Sequence, residues 1–89
     1  MLIISYIDWF GSDEEFEKFK KVWEEACEKT EGVHSTKLLV PHSGKYHYAW
    51  FTKADSYAHL LKANQVALGK LPRDRNKMTH SVNEIFTEP

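Results

Sequence analysis

Apolar and polar residues recur along the chain with two different periods, and these periods predict the first elements of the fold. Residues 2–9 combine isoleucines with aromatic residues, which is typical of a β-strand. From residue 12 onward, apolar side chains recur every three or four positions, which predicts an amphipathic helix. Ser12 and Glu15 have the spacing of a capping box at its start, and Gly32 is placed to end it in a left-handed conformation.

Four further elements are predicted in the remainder of the chain. They are strands at 33–40, 46–53 and 80–87 and a second helix from Asp55 or Ser56 to Gly69. A tight turn at 41–45 joins the first two of these strands, and an irregular connection at 71–78 follows the helix. The core side of the second helix is predicted to carry Tyr57, Leu60, Leu61, Asn64 and Leu68. Two βαβ crossovers joined by a hairpin predict a single α+β domain over residues 1–89. This is a ferredoxin-like βαββαβ sandwich, in which two helices cover one face of a four-stranded antiparallel sheet.

The predicted hairpin assigns side chains to the two faces of the sheet. If Ser43 and Gly44 form the turn, residues that pair across it have numbers that sum to 87. The face packed on the helices would then carry Thr36, Leu38, Val40, His47, Ala49 and Phe51. The opposite face would carry Lys37, Tyr46, Tyr48 and Trp50. An aromatic patch of this kind usually marks an interaction surface.

Composition restricts the class of protein. With 42% hydrophobic and 13% aromatic residues, the 89-residue chain can bury a core, which argues against intrinsic disorder. The one cysteine, Cys27, excludes an internal disulfide and fits a reducing compartment. The apolar run at the N-terminus lacks basic residues and is too short for a signal peptide or a membrane span. We therefore expect a cytoplasmic protein without a membrane association.

Charge is unevenly distributed along the chain, although the net charge is only −1. Residues 12–31 hold eight acidic side chains and four lysines, whereas residues 45–77 hold seven basic side chains and two aspartates. Arg73 and Arg75 lie in the second segment, and a guanidinium group suits the binding of a carboxylate or phosphate. The second segment therefore predicts either an anion-attracting side or a solvated loop in which Asp74 is the local partner.

The order of elements, the length near 90 residues and the open aromatic sheet face resemble the dimeric α/β-barrel superfamily. This superfamily includes the antibiotic-biosynthesis monooxygenases and muconolactone isomerase. The resemblance extends over the whole chain but includes no diagnostic catalytic motif. It implies a homodimer in which two sheets pack face to face, with a small organic ligand between sheet and helices or inside the barrel.

A second interpretation of the same aromatic face is the binding of single-stranded nucleic acid. The RNA-recognition motif shares the βαββαβ order and stacks bases on aromatic residues of its third strand. Residues 44–51 match its RNP1 pattern at the third, fifth and eighth positions only. The sequence pI near 6.5 argues against a strong phosphate-binding surface.

Several side chains could carry chemistry. The candidates for acid–base catalysis are Asp8, His34, His59, His80 and Glu84, and the candidates for ligand binding are Lys37, Tyr46, Tyr48, Trp50, Arg73 and Arg75. His42 and His47 could share a metal ion across the predicted turn, but spacing supplies no third ligand. We therefore predict no metal and no cofactor.

The sequence thus predicts a homodimer formed through the sheet face, with a small-molecule site in the cleft between sheet and helices. A cofactor-free monooxygenase or isomerase is its more specific form. The alternative is a non-catalytic module that binds a partner or single-stranded nucleic acid. The sequence does not decide whether the chain is an enzyme.

Overall fold

The six predicted elements are present, in the predicted order, in a computed structural model of the chain. The structure describes residues 1–42, 44–70 and 78–89, and of residues 80–83 it describes the backbone alone. The elements are β1 (Leu2–Trp9), α1 (Asp13–Lys29), β2 (Val33–Leu39), β3 (Tyr48–Ala54), α2 (Tyr57–Leu68) and β4 (Met78–Phe86). All pairings are antiparallel and give the sheet order β2-β3-β1-β4, the ferredoxin-like arrangement. Most of the predicted connection at 71–78 lies outside the described residues.

The predicted capping box begins α1. The Ser12 hydroxyl accepts a hydrogen bond from the Glu15 N–H at 3.1 Å, and the Glu15 carboxylate accepts one from the Ser12 N–H at 3.3 Å. These reciprocal bonds satisfy two of the backbone donors that a helix start leaves without partners. At the other end, Gly32 has a φ of 88° and turns the chain into β2. Among the described residues, no helix is long and apolar enough to span a membrane.

The core lies between the two helices and one face of the sheet. Ile3 and Ile7 of β1 and Trp50 of β3 pack there against Trp23 of α1 and Leu60 of α2. Trp23 also donates a hydrogen bond from its indole N–H to the Thr36 hydroxyl at 3.2 Å. Both helices are therefore packed on the sheet by apolar contacts, and α1 is also held by a hydrogen bond.

The predicted register of β2 against β3 is wrong by one residue. Trp50 pairs with Leu38 and Phe51 pairs with Lys37, so paired numbers sum to 88. The ladder ends at the pair of Leu39 and Ala49, and the connection from there to Tyr48 is longer than the two-residue turn on which the prediction depended. Since side chains alternate along a strand, a slip of one residue moves each of them to the other face. Trp50 therefore belongs to the core and not to the open face.

The predicted core side of α2 is also partly wrong. The helix buries Leu60, Ala63 and Ala67, whereas Leu61 and Leu68 are exposed. The two alanines lie one turn apart and, having short side chains, allow α2 to pack closely on the sheet and on α1. The prediction was correct for Leu60 and Tyr57, which contact the core, but it included Leu61 and Leu68 in place of the two alanines.

The face of the sheet opposite the helices, called here the open sheet face, is apolar at its centre. The strand pairings assign to it Leu2, Ile4, Tyr6, Lys37, Leu39, Ala49, Phe51, Lys53, Glu84 and Phe86. Both helices lie on the other side, so no described helix covers it. Leu39 and Phe86 remain 39% and 49% exposed. The predicted amphipathic open face exists, but with a different set of aromatic residues.

Candidate functional site

A cleft of about 460 Å³ opens at the end of the sheet where β1 ends and β3 begins, next to the start of α1. Its walls are formed by Trp9, Gly11, Asp13, Val40, Pro41, Tyr46, His47 and Tyr48. Aromatic and aliphatic side chains thus meet a small number of polar groups. This combination is typical of sites for small organic molecules.

Stacking against α1 holds two of the aromatic walls. The Tyr48 ring stacks on Phe16 with centroids 4.2 Å apart, and the Trp9 ring stacks on Phe19 at 5.7 Å. The Trp9 indole N–H is engaged as well, because it donates to the backbone oxygen of Ser12 at 3.0 Å. The local sequence explains this geometry: β1 ends at Trp9, and Gly11 and Ser12 turn the chain directly into α1.

Tyr46 joins the cleft to the open sheet face. Its ring stacks on Tyr6 with centroids 4.7 Å apart. The Tyr6 hydroxyl in turn donates to a carboxylate oxygen of Glu84 at 2.8 Å. This hydrogen bond to Glu84 raises the pKa of Tyr6, because it favours the protonated phenol.

His47 is the histidine that lines the cleft, and hydrogen bonds with β1 fix its position. Its backbone N–H donates to Asp8 Oδ1 at 3.0 Å, and its Nδ1 lies 3.0 Å from the Trp9 N–H and 3.1 Å from the Trp9 carbonyl oxygen. Either tautomer therefore has a backbone partner at Nδ1. With the proton on Nδ1, the ring leaves Nε2 as a basic atom, and Nε2 bonds to none of the described residues. With the proton on Nε2, the ring offers a hydrogen-bond donor instead.

Two of the predicted histidines lie at the opposite end of the sheet, close to the N-terminus. His34 Nε2 contacts Asp55 Oδ1 at 2.6 Å, and His59 Nδ1 contacts the Ser56 hydroxyl at 2.7 Å. The hydrogen bond from His34 lowers the pKa of Asp55. The structure therefore separates His34 and His59 from the cleft by the length of β1, and they do not share a site with Tyr46 and Tyr48.

The fold brings only some of the predicted site residues together in the cleft. Tyr46 and Tyr48 line the cleft, but Trp50 is 2% exposed in the core, so its assignment to ligand binding is wrong. Its indole N–H is buried without a hydrogen-bond partner among the described residues.

The predicted charged residues of the site do not line the cleft where they are described. Lys37 and Glu84 are exposed on the open sheet face. Arg73, Arg75 and the side chain of His80 lie outside what the structure describes.

The nucleic-acid interpretation required Tyr46, Tyr48 and Trp50 on one exposed face. Tyr46 stacks on the open-face residue Tyr6, whereas Tyr48 packs on α1 and Trp50 lies in the core. The three rings therefore do not form the shared stacking surface that this interpretation needs.

Metal-binding side chains do not converge in the described part of the chain. No group of three or more histidine, cysteine or acidic residues is arranged to hold a metal ion among those residues. Cys27 is buried on the core side of α1, and desolvation raises its pKa to about 12. Its thiol therefore stays protonated at neutral pH and is a poor nucleophile.

Trp9, Asp13 and His47 line the cleft but were not predicted from the sequence to do so. His47 was placed on the helix-packed face because of the register error. One signal was available: Trp9 and Phe10 are separated from the capping box by Gly11 alone, which placed aromatic residues near the start of α1. The curvature of the segment 44–47, which brings His47 against β1, had no such signal.

Solved structures resemble the chain over nearly its full length, although its sequence matches no protein-family model and none of the curated proteins. SnoaB, a cofactor-independent oxygenase from Streptomyces nogalater, is 16% identical with a TM-score of 0.70, and the match covers 99% of this chain and 91% of SnoaB. A MhuD variant with two manganese protoporphyrin IX bound per active site is 22% identical with a TM-score of 0.67, covering 99% and 96%. A dimeric ferredoxin-like protein from Thermobifida fusca is 10% identical with a TM-score of 0.63, covering 96% and 89%.

The chain has the ferredoxin-like fold of the antibiotic-biosynthesis monooxygenases. The resemblance drawn from the order of the elements is therefore confirmed at the level of the fold. Such a fold hosts unrelated activities, so the activity has to be argued from the cleft itself.

Proposed function

We propose that this chain is a homodimeric oxygenase that binds a small organic molecule in the cleft of Trp9, Tyr46, His47 and Tyr48 and works without a bound cofactor. The observation that carries the proposal is the position of His47 in the wall of an otherwise aromatic and aliphatic cleft. The description of SnoaB as a cofactor-independent oxygenase of the same fold supports the type of reaction.

Such a reaction needs a base, because the electrons for O₂ come from the substrate. An enol or phenol reacts with O₂ far more readily after losing its proton, since the anion is the better electron donor. His47 supplies the base in the tautomer that donates from Nδ1 to the Trp9 carbonyl oxygen and leaves Nε2 free. Asp8 Oδ1 lies 3.8 Å from Nδ1, where its negative charge stabilises the imidazolium that forms. The rings of Tyr46 and Tyr48 would orient a planar substrate.

The open sheet face supports the homodimer. Tyr6 and Phe51 are partly exposed around the buried Ile4 on the face that the helices do not cover, and Leu39 and Phe86 extend this apolar area towards the two edges. Burying a large apolar side chain stabilises an assembly by roughly 1.5–3 kcal/mol. A second sheet packed on this face would also enclose the Tyr6–Tyr46 stack, so the dimer and the cleft would share residues. The buried thiol of Cys27 agrees with the reducing cytoplasm as the compartment.

The test measures O₂ uptake by the purified protein in the presence of a metal chelator. The substrates are phenolic compounds and include a hydroquinone and a naphthol. We expect uptake that depends on the protein and equals the amount of oxidised product. His47→Gln removes the base and should reduce the rate about a hundredfold or more, in line with the usual contribution of general-base catalysis.

The matched control is His42→Gln, which makes the same substitution at an exposed histidine that does not line the cleft. We expect it to keep the rate of the unchanged protein. Equal rates in the two variants would contradict the proposed role of His47. Uptake that the chelator abolishes would contradict a reaction without a cofactor.

A further inference from the structure

Among the described residues that line the cleft, the one acidic side chain is not offset by a basic one. The lining includes the carboxylate of Asp13 and, among the described residues, neither lysine nor arginine. A second carboxylate, Asp8, binds the backbone N–H of His47 directly beside the cleft. If His47 were protonated, its charge would be balanced by Asp8, whose Oδ1 lies 3.8 Å from Nδ1. The charge that the described lining residues present to a ligand is therefore negative.

The start of α1 does not reverse this polarity. A helix N-terminus ordinarily attracts anions, because its first N–H groups lack partners. Here Ser12 and Glu15 occupy that position through the capping box, and the first turn carries three acidic residues. An anionic ligand would therefore meet carboxylates from α1 before it met unpaired N–H groups.

The aromatic walls of the cleft also favour a ligand with positive charge. The faces of aromatic rings carry partial negative charge and attract a cation within about 6 Å. Tyr48 and Tyr46 are each held in place by stacking on a neighbour, at 4.2 Å on Phe16 and 4.7 Å on Tyr6. The indole N–H of Trp9 is bound to the Ser12 carbonyl oxygen, so it is not available to an anion.

We infer that the ligand of this cleft is an organic cation, a substituted ammonium group attached to an apolar or aromatic body. The ammonium group would lie between the aromatic rings and Asp13, and the body would contact Val40 and Pro41. The cleft volume of about 460 Å³ suits a molecule of this size. The inference rests on the proposed function, because it names the substrate class of the same site.

The test compares three probes of similar size and different charge: benzyltrimethylammonium, 2-phenylethanol and phenylacetate. Each is titrated at low salt into the full chain labelled with ¹⁵N, and the amide resonances of Gly11 and His47 report binding in the cleft. We expect the cation to bind about fivefold to tenfold more tightly than the alcohol, as cation–π contacts with two or three rings predict. Phenylacetate should bind most weakly. The preference for the cation should decrease as salt is added.

Two matched variants locate the origin of the preference. Asp13→Asn removes the carboxylate that lines the cleft and should reduce the preference to about twofold, with the affinity for 2-phenylethanol unchanged. Glu14→Gln removes the same charge from the same helical turn at a residue that does not line the cleft, so the preference should remain.

The outcomes separate this inference from the proposed function. If 2-phenylethanol or phenylacetate shifts the Gly11 and His47 resonances as strongly as the cation does, the small-molecule site stands and the cationic class is wrong. If none of the probes shifts them, the site itself is wrong and the inference fails with it. If Asp13→Asn leaves the preference for the cation unchanged, Asp13 is not its source, and that part of the inference is wrong.

Discussion

Gly32 shows at the level of a single residue how sequence, backbone and packing are connected. Its φ of 88° is a conformation that residues with a Cβ rarely adopt. The ring of His59 also occupies the space beside it, so a Cβ on Gly32 would clash with that ring. The turn from α1 into β2 thus allows α2 to approach, and the backbone oxygen of Gly32 accepts a hydrogen bond from the Asp55 N–H at 2.8 Å.

Gly32→Ala should therefore lower the free energy of unfolding by about 2–4 kcal/mol, through backbone strain and the displacement of His59. Urea denaturation measures this change. Gly69→Ala is the matched control, because the backbone of Gly69 is right-handed and a Cβ there would have only ordinary contacts, the nearest at 3.5 Å. Gly69→Ala should change the free energy of unfolding by no more than about 1 kcal/mol.

The steric part of the effect can be separated from the backbone part. In a Gly32→Ala, His59→Ala double variant the clash disappears and the left-handed strain remains, so the two substitutions should cost less together than the sum of their separate costs. Strict additivity would contradict the contact between the ring and the turn.

The two helix starts differ at the level of elements, although both have a serine at the N-cap. The Ser12 hydroxyl accepts from the Glu15 N–H and caps α1, whereas the Ser56 hydroxyl contacts His59 Nδ1 and caps no backbone group of α2. Ser12→Ala should therefore lower the free energy of unfolding by about 1 kcal/mol, and Ser56→Ala by only a few tenths. Chemical denaturation of both variants at one pH provides the comparison. Equal losses in the two variants would contradict the predicted difference between the two helix starts.

The elements also show which features the sequence could predict. The boundaries of β1 and α1 were predictable, because the capping box and the turn glycines are local signals. The register of β3 was not, because it depends on the conformation of the long connection from Val40 to His47. The core side of α2 was missed because close packing selected Ala63 and Ala67 over the larger Leu61 and Leu68.

The candidate site could be predicted less well than the fold, for a related reason. Tyr46 and Tyr48 were predicted to contact a ligand because strand alternation placed them, with Trp50, on one aromatic face of the sheet. Their partners in the cleft, Trp9 and Asp13, come from the turn between β1 and α1. Contacts between segments more than thirty residues apart depend on the register and on the bend at 44–47, neither of which has a local pattern.

At the scale of the whole molecule, the open sheet face determines how the proposed dimer should be tested. The register makes Trp50 unsuitable for this purpose, because a charge at a core residue would unfold the chain instead of separating two subunits. Leu39 is suitable, since it lies on the open face and is 39% exposed. Leu61 is its matched control, because it is 43% exposed on α2, on the opposite side of the molecule.

Light scattering after gel filtration should give the unchanged protein a mass of about twice the 10.4 kDa of one chain. Leu39→Glu should give the mass of a single chain, because two like charges and their hydration would be trapped between the packed sheets. Phe86→Glu, at the opposite edge of the sheet, should do the same, and Leu61→Glu should remain dimeric. Circular dichroism verifies that each variant is folded. A monomeric unchanged protein would contradict the dimer, and dissociation by Leu61→Glu alone would move the interface to the helices.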